Sequence, residues 1–437
     1  MMPARGWDSW LEQVTAQLRC RAAVKTVKAE LEAHLQDQYE AFLAEGDNAE
    51  QAMSKTLESM GDPVEVGMRL DGVHRPQSAW APFLLVSALF IMGALLRCWG
   101  LAELDRAEDI TWMLLRSIVP IAVLALVYFM TDAAASLRYT WLWYGGSLAL
   151  VAAVVFVSQP INGTYIYARS LCAFLAFGHA AVLYRQRKKG LVGLLAGMLS
   201  LIPMLLAALW VPATNQMLCL ALAGFVLCMY CAWKDWFGWG ARKSVGLTIT
   251  AAVGVPFVLV MTNLNLVQRM FERLNPFVDP TGAGFLSLLR LTIWQGNSPL
   301  QPSTWLQAVD EESVYRLLSS DYPLTFGAYA FGRPAALAML ALMILCLVLL
   351  WRAVLRTHSA AGRFLGLAGA AVLTGELLFS AGAFSGVVLF LSDGIWNGCV
   401  QAAMAGMLLS AFRLDSVKGG WNSACERKGL RLQIRWE

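Results

Sequence analysis

The chain has 437 residues, of which 58% are hydrophobic and only 15% charged, and its mean hydropathy is +0.54. That balance excludes an ordinary soluble globular protein or a nucleic-acid-binding one, and points to an all-α, polytopic membrane protein. Residues 1–75 hold 8 Lys/Arg against 13 Asp/Glu, a net of −5 within a total of +4, so the remaining chain carries +9.

The acidic head, residues 1–76, reads as a small helical cytoplasmic domain. Val24, Val27, Leu31, Leu35, Tyr39 and Phe42 step by three and four, which makes one apolar stripe on a helix. Gly46 suits the position past that helix, and Asp47 or Asn48 can cap the next one, which carries Met53, Leu57 and Met60. In "MGDPVEVGMRL" Gly61 stops a helix, Asp62 caps another, Pro63 fits its first turn and Glu65 completes a capping box. His34 reads as a surface histidine. The start of the chain is charged and amphipathic rather than signal-like, so the first apolar run serves as the membrane anchor. "AELEAHLQDQYEAFLAEGDNAEQAMSKTLESMGDPVEVGMRLDGVHRP" resembles the helical prefix domain that precedes permease-like membrane regions in Gram-positive bacteria.

Ten apolar runs follow within residues 80–413, near 82–101, 112–130, 140–158, 169–184, 191–210, 213–233, 244–264, 324–350, 364–384 and 392–412. Each can supply about the 20 residues that a helix needs to cross a bilayer. With the head inside, the inner loops hold Arg138, "RQRKK" at 185–189, Lys234, Arg242, Lys243, Arg352, Arg356 and Arg363, whereas the short outer loops hold chiefly Arg106 and Arg169. Both termini, including the basic tail 414–437, are therefore expected in the cytoplasm. Trp80, Trp99, Trp112, Trp141 and Trp351 fall near span ends, as interfacial aromatics do. Arg97 and Arg116 are expected to snorkel outward. Most of the nine cysteines lie in apolar runs and read as small hydrophobes, "CMYC" at 228–231 included. Glu376 and His179 are the ionisable residues near span centres; a buried carboxylate needs a proton or a partner, and an Arg116 facing inward rather than snorkelling is one candidate.

The one long connection, 265–322, is expected outside. "RLNPFVDPTG" makes a rigid elbow, because Pro276 and Pro280 bias the residues before them away from helix. "GFLSLLRL" then forms an amphipathic piece suited to the membrane surface, with a plain turn as the alternative. "SSDYP" places Asp321 at the mouth of the eighth run. A carboxylate at the edge of a low-dielectric region suits a general base or a cation ligand, and a helix N-cap is the other reading.

Ten spans, "RLNPFVDPTGAGF" opening the outer loop and "SDYPLTFGAYAFG" closing it resemble the SEDS family, of the FtsW, RodA and SpoVE kind. "NG" at 162–163 and "LSDGIWN" at 391–397 are fainter echoes. The resemblance implies a peptidoglycan glycosyltransferase in the bacterial cytoplasmic membrane, which polymerises lipid II on the outer face beside a class B penicillin-binding transpeptidase, in cell division or cell shape. It implies that Asp321 is the essential acid. Asp279 falls in the matching elbow, and Arg269, Arg273 and Arg290 are outer cations that suit either a departing diphosphate or lipid headgroups. A divalent cation near that diphosphate is the one cofactor the reading admits. The family's two acids after "SDYPLTFG" are Tyr329 and Ala330 here, and its glutamines after Gly-x-Gly are Leu286 and Leu289. A catalytically inactive scaffold for a transpeptidase is therefore the alternative, and a transporter of lipid-linked precursor ranks third because the span centres are almost bare of ionisable groups.

Overall fold

The computed structural model describes residues 6–18, 21–73, 78–103, 110–160, 165–262, 277, 285–295, 322–381, 389–391 and 394–415. The chain divides into two compact units, residues 1–78 with 412–437, and residues 79–411.

The first unit contains α1 (Asp8–Ala16), α2 (Arg21–Ala44), α3 (Ala49–Met60) and α4 (Pro63–Val73). Trp7, Trp10, Leu11, Val14 and Leu35 form its core, flanked by Leu31, Tyr39, Met53, Leu57, Met60, Val66 and Leu70. The predicted stripe of α2 thus faces inward along much of its length. Trp10 also donates its indole N–H to the Gly61 carbonyl at 3.1 Å, which satisfies the polar end of a buried ring. Of the two predicted caps for α3, Asn48 is the one used, in a reciprocal capping box with Gln51; Asp47 pairs instead with Lys55 at 2.8 Å. Asp62 accepts the Glu65 N–H at 3.0 Å as expected. The Glu65 carboxylate meets Arg69 at 2.6 Å, since one helical turn ahead lies a better partner than the backbone behind. Leu414, from beyond the last span, packs with Leu18, Val27 and Leu70.

The second unit is a helical bundle. Its elements are α5 (Trp80–Glu103), α6 (Ile110–Met130), the short α7 (Ala133–Ser136), α8 (Ser147–Val157), α9 (Ile166–Leu171), α10 (Leu175–Arg185), α11 (Gly190–Trp210), α12 (Thr214–Trp233), α13 (Ala241–Thr262), α14 (Phe285–Gln295), α15 (Pro323–Phe331), α16 (Arg333–Arg356), α17 (Ala360–Ala381) and α18 (Ile395–Arg413). Seven helical stretches among the described residues are long and apolar enough to cross a membrane, and two shorter apolar helices join them. Over their described residues the predicted runs are mostly helix, so the chain is a polytopic α-helical membrane protein. Arg97 and Arg116 are half-buried on α5 and α6.

Three predicted runs are not single α-helices. A π-helical turn, Leu142–Gly146, leads into α8, and a 3₁₀ turn, Cys172–Phe174, joins α9 to α10. The eighth run, expected over 324–350, is broken at Gly332, which adopts φ 85° and ψ 165°. That conformation is essentially reserved for glycine. The crossing is therefore α16 alone, and α15 is a separate short helix ahead of it. Gly332→Ala should lower stability by about 1–3 kcal/mol, read as an earlier thermal unfolding midpoint in detergent; an unchanged midpoint would show that the joint tolerates a side chain.

The densest packing joins α12 to α17. Gly375 makes it geometrically available, because a Cβ there would stand 3.1 Å from the Cys219 Cα. The two backbones meet where a larger residue would hold them apart, and this brings Gln216 and Glu376 into reach of one another.

Candidate functional site

Of the residues singled out in the long outer connection, Arg269, Arg273, Asp279 and Asp321 lie outside the described residues. Arg290 is on α14, within the segment read as an amphipathic surface piece. Leu289 and Ile293 on that helix are buried against Ala328 of α15 and Ala336 of α16, with Trp294, Tyr322 and Tyr329 around them. Spacing of four between Leu289 and Ile293 gives the helix one apolar edge, and the small Ala328 and Ala336 accept it closely. Arg290 extends from the same helix over the ring of Tyr322, 4.8 Å from its centroid. The geometry is that of a cation–π contact, worth about 0.5–2 kcal/mol. Tyr322 directly follows Asp321 in the chain, so the docking of α14 sets a guanidinium beside the residue next to the expected acid. On its other side α15 packs against α5, where Trp99 meets Phe326 at 6.1 Å and Phe331 at 4.7 Å.

The eighth crossing begins at Arg333 rather than near 324, and α15 stands ahead of it. Pro323 opens α15, and the cap position belongs to Tyr322, whose side chain makes no capping bond.

A second polar group lies within the bundle. Glu376, on α17, is 1% exposed. Its Oε1 accepts from Nε2 of Gln216 on α12 at 3.2 Å, and its Oε2 accepts from Nε2 of Gln401 on α18 at 2.8 Å. Gln401 is itself oriented, because its Oε1 accepts the backbone N–H of Phe390 at 2.8 Å. Phe390 is fully buried and holds φ at 59°, a conformation unusual for an aromatic residue, and its ring packs edge-on to Phe90 at 5.5 Å. Arg169, half-buried on α9, is the cation whose field reaches the Glu376 carboxylate. α9 is tied to α18 as well, through the Trp396 indole N–H to the Tyr167 carbonyl at 3.0 Å.

Burying a carboxylate costs several kcal/mol unless it is well met. Here two amide donors meet it, and the charge of Arg169 adds a favourable field. Gln216 Oε1 is buried without a hydrogen-bond partner among the described residues, so this partner of the carboxylate keeps unused polar capacity. The group stands within about two helical turns of the ends of α9, α12, α17 and α18 that lie on the expected outer side. Glutamines, rather than the candidate Arg116, are thus the hydrogen-bond partners of Glu376. Gln216 escaped notice because "VPATNQ" reads as a break between spans, and Gln401 because one amide in an apolar run carries no charge signal.

His179 is buried with Nδ1 3.0 Å from Ser200 Oγ and Nε2 3.7 Å from Cys228 Sγ. Cys228 and Cys231 are free thiols packed in the bundle, as the reading of "CMYC" expected. Among the described residues no three metal-ligating side chains come together.

No protein-family model matches the chain, and no curated protein matches it. Solved structures do. A chain from work on structural coordination of polymerization and crosslinking by a peptidoglycan synthase complex superposes with a TM-score of 0.58 at 18% identity, covering 76% of this chain and 97% of that one. The Thermus thermophilus rod shape determining protein RodA gives a TM-score of 0.47 at 17% identity over 76% of this chain and 95% of that one. A point mutant of that RodA gives 0.48 at 16% identity, with 76% and 96% covered. An identity this low speaks for the fold and leaves the activity open, and over three-quarters of its length this chain has the SEDS fold.

Proposed function

We propose that the protein works in cell-wall biogenesis as a glycosyltransferase that polymerises lipid II, or a related undecaprenyl-linked sugar, on the outer face of the bacterial cytoplasmic membrane. The structural neighbour belongs to a peptidoglycan synthase complex concerned with polymerization and crosslinking, and a class B transpeptidase is the partner proposed here. The observation that carries the reading is Arg290 packed on Tyr322, next in the chain to Asp321. Polymerisation needs two things at one place: a base for the incoming sugar hydroxyl, and positive charge for the diphosphate that leaves.

In this reading the hydroxyl oxygen attacks the anomeric carbon of the neighbouring sugar while the bond from that carbon to the diphosphate oxygen breaks. The hydroxyl proton passes to the Asp321 carboxylate, and the lipid diphosphate departs as an anion. Arg290, with Arg269 and Arg273 from the same connection, would meet that charge through guanidinium–phosphate hydrogen bonds. Asp279 belongs to the elbow that would position the first two arginines.

One observation favours the second reading, an inactive scaffold. Tyr329, standing where the family carries an acid, lies against the apolar cluster between α14 and α15. The full chain, purified and reconstituted with a class B transpeptidase, is expected to convert fluorescent lipid II into glycan chains. A stable complex that yields no product would establish the scaffold. Absence of both product and complex would overturn the cell-wall reading altogether.

A further inference from the structure

At the end of the bundle opposite Gln216, the connections α10–α11 and α12–α13 come together. Between residues 185 and 243 they present Arg185, Arg187, Lys188, Lys189, Lys234, Arg242 and Lys243, all exposed, against one carboxylate, Asp235. A charge bias that merely orients a membrane protein can reside in floppy loops. These loops are fixed. Lys188 N–H donates to the Trp236 carbonyl at 3.0 Å and Gly190 N–H to the Phe237 carbonyl at 2.8 Å, so the two connections are stitched by their backbones. Trp236 donates its indole N–H to the Leu183 carbonyl at 3.0 Å, and its ring lies 4.9 Å from the ring of the fully buried Phe364.

Two non-glycine residues in these paired loops, Lys188 at φ 59° and Asp235 at φ 48°, hold left-handed backbones. Such conformations persist when the surroundings over-determine them, and they gather at functional sites. Asp235 accepts the Gly240 N–H at 2.9 Å, so its carboxylate is engaged in the turn. The Arg187 guanidinium stands over the Trp236 ring, 5.0 Å from its centroid. Apolar surface begins directly beside the cations: Trp233 and Val192 are each 73% exposed, at the end of α12 and the start of α11. A preorganised cationic shelf at the foot of an apolar wall matches a ligand with an anionic head and a hydrocarbon body.

We propose that the paired loops 185–190 and 234–243 form a binding site for the phosphate headgroup of an anionic phospholipid, whose acyl chains lie along the exposed faces of α11 and α12. The apolar wall selects a lipid over a soluble phosphate, and the fixed loops make the site a shape as well as a charge. The proposal is independent of the glycosyltransferase reading, since it concerns the other end of the bundle.

The test uses the full chain in detergent, titrated with phosphatidylglycerol or phosphatidylcholine and read by native mass spectrometry and thermal unfolding. Phosphatidylglycerol is expected to bind preferentially and to raise the unfolding midpoint. Neutralising Lys188, Lys189 and Lys234 together to Gln should weaken that binding roughly a hundredfold, at about 1 kcal/mol for each cation near an anionic surface. Arg187→Lys keeps the charge but loses the guanidinium's contact with the Trp236 ring, and should reduce the preference as well. Equal binding of both lipids, or a triple variant indistinguishable from the parent, would overturn the site. An Arg187→Lys protein with undiminished preference would reduce it to diffuse charge. Displacement of the lipid by inorganic phosphate at comparable concentration would show a soluble phosphate to be the ligand, and would overturn the proposal.

Discussion

Asp321→Asn is expected to lower glycan polymerisation by about two orders of magnitude or more, the range that a positioned general base contributes. The substitution preserves size and can still accept a hydrogen bond, but it cannot take up the proton of the attacking hydroxyl. Membrane insertion, thermal stability and any complex with a transpeptidase should stay as in the parent, because the substitution keeps the side chain's size and α15 is opened by Pro323 with Tyr322 at its cap position. The measurement is chain formation from fluorescent lipid II by matched amounts of parent and variant. A parent that polymerises, together with a variant of equal rate, would remove Asp321 from the chemistry while leaving the activity in place.

The second large effect belongs to stability. Glu376→Ala removes the acceptor for two buried amides, Gln216 Nε2 and Gln401 Nε2, and opens a cavity in the closest-packed part of the bundle. A buried donor left unpaired costs about 1–3 kcal/mol, so the variant should lose on the order of 3 kcal/mol or more. Glu376→Gln should lose less. It keeps the volume, sheds the cost of a buried charge, and can offer its own N–H₂ to Gln216 Oε1, which is unused in the parent. Unfolding midpoints should therefore fall in the order parent, Glu376→Gln, Glu376→Ala. An alanine variant as stable as the parent would show that water reaches the site freely.

The polytopic helical class and the approximate limits of the long apolar helices were legible in the sequence, because span length and apolar composition are local properties that a bilayer imposes directly. Hydropathy misplaced the eighth crossing. "PLTFGAYAFGRPAAL" is continuously apolar up to Arg333, and hydropathy is blind to a backbone angle. The following Pro334, suited to a helix's first turn, was the available sign that a new helix begins after Gly332. In the head, the choice between Asp47 and Asn48 turned on a competing ion pair with Lys55, which spacing along the chain does not reveal. Glu376 was legible as a residue needing company. Its company was not, since α12, α17 and α18 meet only in three dimensions and neither glutamine carries charge. Arg290 was legible as a cation on an amphipathic segment, while its place over Tyr322 follows from the docking of α14 onto two alanines contributed by different helices.

The joint at Gly332 has a mechanical meaning. A continuous helix through that point would make the tilt of the crossing dictate the direction of α15 ahead of it. With the helical ladder interrupted, α15 takes its bearings from Trp99, from α14 and from the start of α16 packed against it, so its direction is set by side-chain contacts with three neighbours rather than by the run of one helix.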